Sequence, residues 1–175
     1  MAEIFVISDT HFGHANILNF KDKDGNPVRN FYDVHEMNEI MIKNWNAMIS
    51  PQDKVYHLGD VYFGPREEAA NILARLNGKK RLVLGNHDTI YGNNILHKYF
   101  QKIHMWRRFE HLLFTHVPVH ESTLGEDRFS KKNMWNIHGH VHQNKSPKGN
   151  YHCVCVEQEH MNYSPILIDK LLKLR

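Results

Sequence analysis

Residues 3–11, Glu-Ile-Phe-Val-Ile-Ser-Asp-Thr-His, form a short apolar run that stops on an acid and an imidazole. An unbroken apolar run of this length is expected of a strand buried on both faces, as in a parallel sheet covered by helices. Asp9 and His11 then stand just beyond the carboxyl end of that strand, where open α/β sheets gather their ligands. The stretch reads as the first strand of an α/β protein with its site at the strand ends.

The same punctuation recurs. Lys54–Leu58 runs into Gly59-Asp60, and Arg81–Leu84 runs into Gly85-Asn86-His87-Asp88. Between them, residues 33–49 carry Val34, Met37, Ile40, Met41, Trp45, Met48 and Ile49 at helical spacing, with Asp33 as N-cap and Pro51 past the end. That stripe reads as core. Residues 66–77 form a second amphipathic helix, stopped by Asn77-Gly78. This βαβα alternation predicts a largely parallel central sheet with helices packed on it. After residue 93 the rhythm shortens to a helix over 93–101 and strands over 102–106, 110–116, 134–138 and 151–156. A long loop is expected over 120–133, and a closing helix over 165–174 whose first residues also fit a strand.

The strand over 134–138 delivers His138-Gly139-His140-Val141-His142. Neutral imidazole is the commonest protein metal ligand, and two His one residue apart can be aimed at one small volume when the backbone is extended or turned. Composition agrees: the chain has 15 His against only 10 Gly. At 175 residues it is the size of one domain, residues 1–175. With 41% hydrophobic and 23% charged residues it is neither disordered nor collagen-like. A formal charge of +3 is too small to argue for nucleic acid by itself. Met1-Ala2-Glu3 and the four apolar residues after it do not read as a signal peptide, and no stretch approaches the roughly 18 apolar residues of a membrane span. Cys153 and Cys155 alternate with Val154 and Val156 and read as buried thiols of a reducing compartment, so a cytoplasmic location is expected.

Asp9, His11, Asp60, Asn86, His116, His140 and His142 all fall at predicted strand ends or in the loops just after them. Seven such donors are too many for one structural ion and suit two. Carboxylates mixed with imidazoles favour Mn, Fe, Ni or Zn over Ca or Mg, and the lack of Cys donors argues against a structural zinc knot. His14 and Asn16 follow closely after His11 and read as substrate-side groups.

In order, these blocks are D-x-H, G-D, G-N-H-D, a lone His and G-H-x-H, spanning residues 9–142. The chain thereby resembles the calcineurin-like metallophosphoesterases, especially the small single-domain members with an Asp-Thr-His-Phe-Gly-His block. The resemblance implies a four-layer α/β/β/α sandwich with two mixed sheets and a two-metal site at the strand ends. It implies that Asp9, His11, Asp60 and His142 hold one metal and that Asp60, Asn86, His116 and His140 hold the other. Asp60 would bridge ions roughly 3.5–4 Å apart, a metal-bridging hydroxide would be the nucleophile, and His87 would be the general acid, oriented by Asp88. The implied activity is phosphate-ester hydrolysis with two divalent transition-metal ions, Mn preferred. Nucleotide-type phosphodiesters are the favoured substrates, with nucleic-acid ends also compatible. A phosphomonoesterase and, behind it, a non-catalytic scaffold are the alternatives; no membrane partner is expected, and the oligomeric state stays open. One position departs: Phe63 stands where many members carry Asp or His, leaving that contribution absent or supplied from elsewhere, with His14 the nearest candidate. His57 reads as a strand side chain, His138 as a strand-end residue or one standing behind the ligands, His120 as a residue that could lie near the site through the Thr115–Pro118 turn but without a direct role, and Arg66, Arg107 and Arg108 as solvated surface in preference to phosphate clamps.

Overall fold

The computed structural model describes residues 2–88 and 94–174. Its first half is built from parallel βαβ crossovers: β1 (Ile4–Ile7), α1 (Val34–Met48), β2 (Lys54–His57), α2 (Arg66–Arg75), β3 (Lys79–Val83), α3 (Asn94–Tyr99) and β4 (Lys102–His104). Ile7 pairs with His57, and His57 pairs with Leu82, so the carboxyl ends of β1, β2 and β3 arrive side by side. Phe5, Val6 and Ile7 are buried, as the unbroken apolar run requires. Helix α1 starts where Asp33 accepts the Glu36 N–H, and the Glu36 carboxylate reaches back to the Tyr32 N–H. It buries Met37, Met41, Ile42 and Trp45. Each fully buried side chain of this size contributes about 1.5–3 kcal/mol.

The second sheet consists of β5 (Arg107–Phe109), β6 (Leu112–Phe114), β7 (Trp135–His138) and β8 (Tyr151–Cys153), in the order β5-β6-β7-β8. β5 and β6 are antiparallel; the other neighbours are parallel. β9 (Ile166–Leu167) then returns antiparallel to β1, giving the first sheet the order β4-β3-β2-β1-β9, and α4 (Ile168–Leu171) follows. The chain is thus mixed α/β with two mixed sheets and few helices, as expected. Backbone bonds at Ser8 tie the sheets together: its N–H donates to Val154 O at 3.0 Å, and its carbonyl accepts from Val156 N at 3.2 Å.

The strands read over 110–116 and 151–156 are shorter, at Leu112–Phe114 and Tyr151–Cys153, and four further segments differ in kind from the sequence reading. Residues 102–109 make two strands in different sheets, β4 and β5, with Met105-Trp106 crossing between them. Helix α2 stops at Arg75, because Leu76 turns extended to enter the left-handed Gly78 at φ 88°. The tail pairs Ile166 and Leu167 with Val6 and Phe5 before a single helical turn forms. The segment 120–133 holds a 3₁₀ turn, Glu121–Thr123, and a bridge between Glu126 and Asn133. Residue 93, where the expected third helix began, lies outside the described residues. No helix among the described residues is long and apolar enough to cross a membrane.

Candidate metal centre

The strand ends converge from both sheets. Asp9 and His11 follow β1, Asp60 follows β2, and Asn86 and His87 follow β3; His116 follows β6, and His140 and His142 follow β7. Asp9, His11 and His142 each offer a donor atom within 4.8 Å of one another, and so do Asp9, Asp60 and His116. Asp60 Oδ2 lies 3.6 Å from His11 Nε2 and 3.4 Å from His116 Nε2, between the two imidazoles. Asn86 Oδ1 is 2.8 Å from His116 Nε2, and the His140 ring centroid is 5.1 Å from that of His116. All seven residues read as ligands therefore surround one volume.

Local backbone geometry explains the motifs. Asp9, His11, Asp60, His140 and His142 all have positive φ, between 47° and 70°. Such a conformation costs an L-residue about 1 kcal/mol or more and persists where the surroundings enforce it. The motif glycines sit where backbones touch. A Cβ on Gly85 would overlap the Asp60 carboxylate, and one on Gly139 would overlap the Asp9 carboxylate and the Ser8 hydroxyl.

The electrostatics suit a cation. Burial by itself raises the Asp9 carboxyl, but His11, His116 and His142 around it hold it well below the usual range. Burial would likewise lower His116, yet Asp60 and Asp9 lift it to about 9. An arriving cation competes with that proton, so metal uptake is linked to proton release. Asp9 Oδ1 and His11 Nε2 are buried with no hydrogen-bond partner. Each such orphan costs about 1–3 kcal/mol unless a ligand completes it. Carboxylate oxygens and imidazole nitrogens are the donors that first-row divalent metals take, so these residues fit such an ion.

Behind the donors lie groups that the sequence reading missed. The buried Glu157 accepts from His142 Nδ1 at 2.8 Å and from the buried Arg29, whose Nη1 and Nη2 also donate to the carbonyls of Thr10 and Asp9. The Cys155 thiol donates to Asp9 Oδ2 at 3.2 Å. Glu157 had a legible signal, since it follows the apolar run Cys153–Val156 just as Asp9 follows its own.

Asp88 requires a correction. Its carboxylate accepts three backbone N–H groups, from Asp60, Val61 and Gly85, at 2.8–3.0 Å, and so fixes the turns that present Asp60 and Asn86 rather than orienting the His87 ring. His87 is exposed at the mouth, its ring 4.8 Å from that of Phe63. His14 stacks on Phe63 with centroids 4.3 Å apart; burial first, then the neighbouring cations, push it down to about 4. The nonstandard Phe63 is therefore enclosed by His11, His14 and His87. Asn16 is exposed on a 3₁₀ turn, and its side-chain partner is Asn19. His138 is buried at the end of β7, bonded to Gly139 O and Ser146 Oγ. His57 bonds Thr10 and is pushed down to about 3 by burial, while His120 caps the turn Glu121–Thr123. Arg108 pairs with the buried Asp127.

Known proteins are similar to this chain in sequence and fold. The chain is 34% identical to the uncharacterised protein MJ1445 of Methanocaldococcus jannaschii, over 99% of this chain and 92% of that one. It is 27% identical to the gene 66 protein of Mycobacterium phage L5, over 81% of this chain and 78% of that one. The crystal structure of the protein of unknown function AQ665 from Aquifex aeolicus covers 100% of both chains, with a TM-score of 0.70 and 28% identity. The model of the calcineurin-like phosphoesterase family matches residues 2–169, and with that span matched the chain belongs to that family.

Proposed function

We propose that residues 1–175, as a single domain, hydrolyse phosphodiesters of nucleotide type with two divalent transition-metal ions, manganese foremost, in the cytoplasm. The observation that carries the diester reading is the open mouth of the centre. Asn86, His87 and His140 are exposed while Asp9, His11 and Asp60 are buried, and an exposed rim of this kind supports a phosphate that carries two substituents. Asp9, His11, Asp60 and His142 would hold one ion, and Asp60, Asn86, His116 and His140 would hold the other. Bound ions supply activation of water and neutralisation of phosphoryl charge. His87, on the exposed rim, holds the proton for the leaving oxygen. His14, neutral at ordinary pH and stacked on Phe63, lines the substrate side with Asn16 nearby. The thiols of Cys153 and Cys155 are free, which favours a reducing compartment.

The test is metal dependence. Chelator-stripped protein loses hydrolysis of bis-p-nitrophenyl phosphate and regains it with Mn²⁺; undiminished turnover in chelator overturns the reading. Faster turnover of p-nitrophenyl phosphate than of the diester would instead make the protein a phosphomonoesterase.

A further inference from the structure

A groove of about 850 Å³ opens beside the metal centre, between the edge of the first sheet and strands β5 and β6. Asn86 and His116 form its inner end, so it is continuous with the site. Its lining is mostly apolar and includes Leu113, Val117, Val119 and Met134 together with Met105-Trp106, the crossing between the sheets. Large apolar side chains normally turn inward, yet Trp106 is 61% and Met105 74% exposed. The charged groups on its walls are engaged elsewhere: Arg108 by Asp127 and the Glu110 carbonyl, Asp88 by three backbone N–H groups.

From this we infer that the groove is a subsite for the nucleoside substituent of the ester, with the base stacked on Trp106. The inference rests on the phosphodiesterase reading above and names its substrate class. The groove lies within the usual volume of small-molecule pockets. A flat base can bury its faces against Trp106 and Met105 while its polar edge keeps water, which suits walls this open. An acyl chain laid there would leave apolar surface wet. With Arg108 engaged, the groove offers that cation to no second phosphate, so it favours an uncharged substituent over a polyphosphate tail. Stacking of a base on an aromatic side chain depends little on base identity, so recognition of nucleosides as a class is expected.

The experiment compares thymidine 5′-(p-nitrophenyl phosphate), methyl p-nitrophenyl phosphate and octyl p-nitrophenyl phosphate as Mn²⁺-dependent substrates of the wild type, Trp106→Ala and Trp106→Phe. The expected result is a thymidine-over-methyl preference in kcat/KM of about tenfold or more, carried by KM. Trp106→Ala collapses that ratio to about twofold, and Trp106→Phe restores most of it. An unchanged ratio in Trp106→Ala, or preference for the octyl ester, overturns the subsite. If no ester is turned over with any metal, the hydrolase reading fails by itself. Titration of thymidine 5′-monophosphate, followed by calorimetry, then decides the groove: binding weakened at least about fivefold by Trp106→Ala supports it, and equal or absent binding overturns it.

Discussion

Glu157 Oε1 accepts a hydrogen bond from His142 Nδ1–H at 2.8 Å, holding the ring so that His142 Nε2 faces Asp9 Oδ1, 4.0 Å away. The same oxygen receives Arg29, so one carboxylate both aims the imidazole and neutralises a buried guanidinium. Partners behind a metal ligand typically contribute about 10–100-fold in metal affinity. Glu157→Gln should therefore weaken Mn²⁺ binding, measured by calorimetry, by that factor. It should also destabilise the protein by about 3 kcal/mol, because Arg29 is left buried without its counter-charge. Unchanged affinity would reduce the triad to packing.

Gly139→Ala tests the contact between the sheets. The added methyl overlaps the Asp9 carboxylate and the Ser8 hydroxyl, both buried, so either the His140 turn or the end of β1 must move. Overpacking of this kind costs about 1–3 kcal/mol. Urea unfolding should show that loss together with a collapse of Mn²⁺ affinity. Gly125→Ala, where a methyl would meet nothing within 4 Å, is the control and should stay within about 0.5 kcal/mol of the wild type.

His87→Ala separates chemistry from metal binding. The ring is exposed at the mouth, and the backbone N–H of His87, not its side chain, bonds Asp60 Oδ1 at 2.9 Å. Removing the imidazole should lower turnover of bis-p-nitrophenyl phosphate by about 10²–10⁴-fold while Mn²⁺ affinity holds. Retained turnover would take the proton-donor role away from His87.

Acid sensitivity has a source away from the metal centre. Burial first, then the charges of His160 and His138, push His152 down to about 4 from its ordinary 6.5. The unfolded chain then takes up the proton at higher pH than the folded one. Stability is lost as pH falls through 6.5 towards 4, and this contribution levels off below that. A tenfold difference in proton affinity between the two states is worth about 1.4 kcal/mol, and partial exposure discounts the total to about 2 kcal/mol. Urea melts of metal-stripped protein at pH 7, 5.5 and 4 should show His152→Asn losing less stability across this window than the wild type. Parallel losses would exclude His152 as the source.

The strand-end donors were legible because two local signals coincide: an unbroken apolar run marks a doubly buried strand, and the polar residue after it marks the ligand. Strand β5 carried no such signal. Arg107-Arg108-Phe109 has no apolar run, and its pairing comes from Leu112–Phe114 across a turn at Glu110, φ 51°. Arg29 was illegible for a related reason. Its burial depends on Glu157, 128 residues away, and no pattern within residues 20–32 announces that partner. Asp88 misled through adjacency: neighbouring residues in a tight turn point apart, and the carboxylate went to three amides instead of the adjoining ring.

Four of the seven donors hang from the first sheet and three from the second, close to the place where Ser8 bonds Val154 and Val156. A cation seated among them is therefore also a rivet. The free energy that secures it presses two half-structures together, and its departure slackens a seam as well as silencing a reaction. Amide exchange along Ser8, Val154 and Val156 should accordingly slow when metal is added, so that the candidate metal centre and the joint of the fold are read in one measurement.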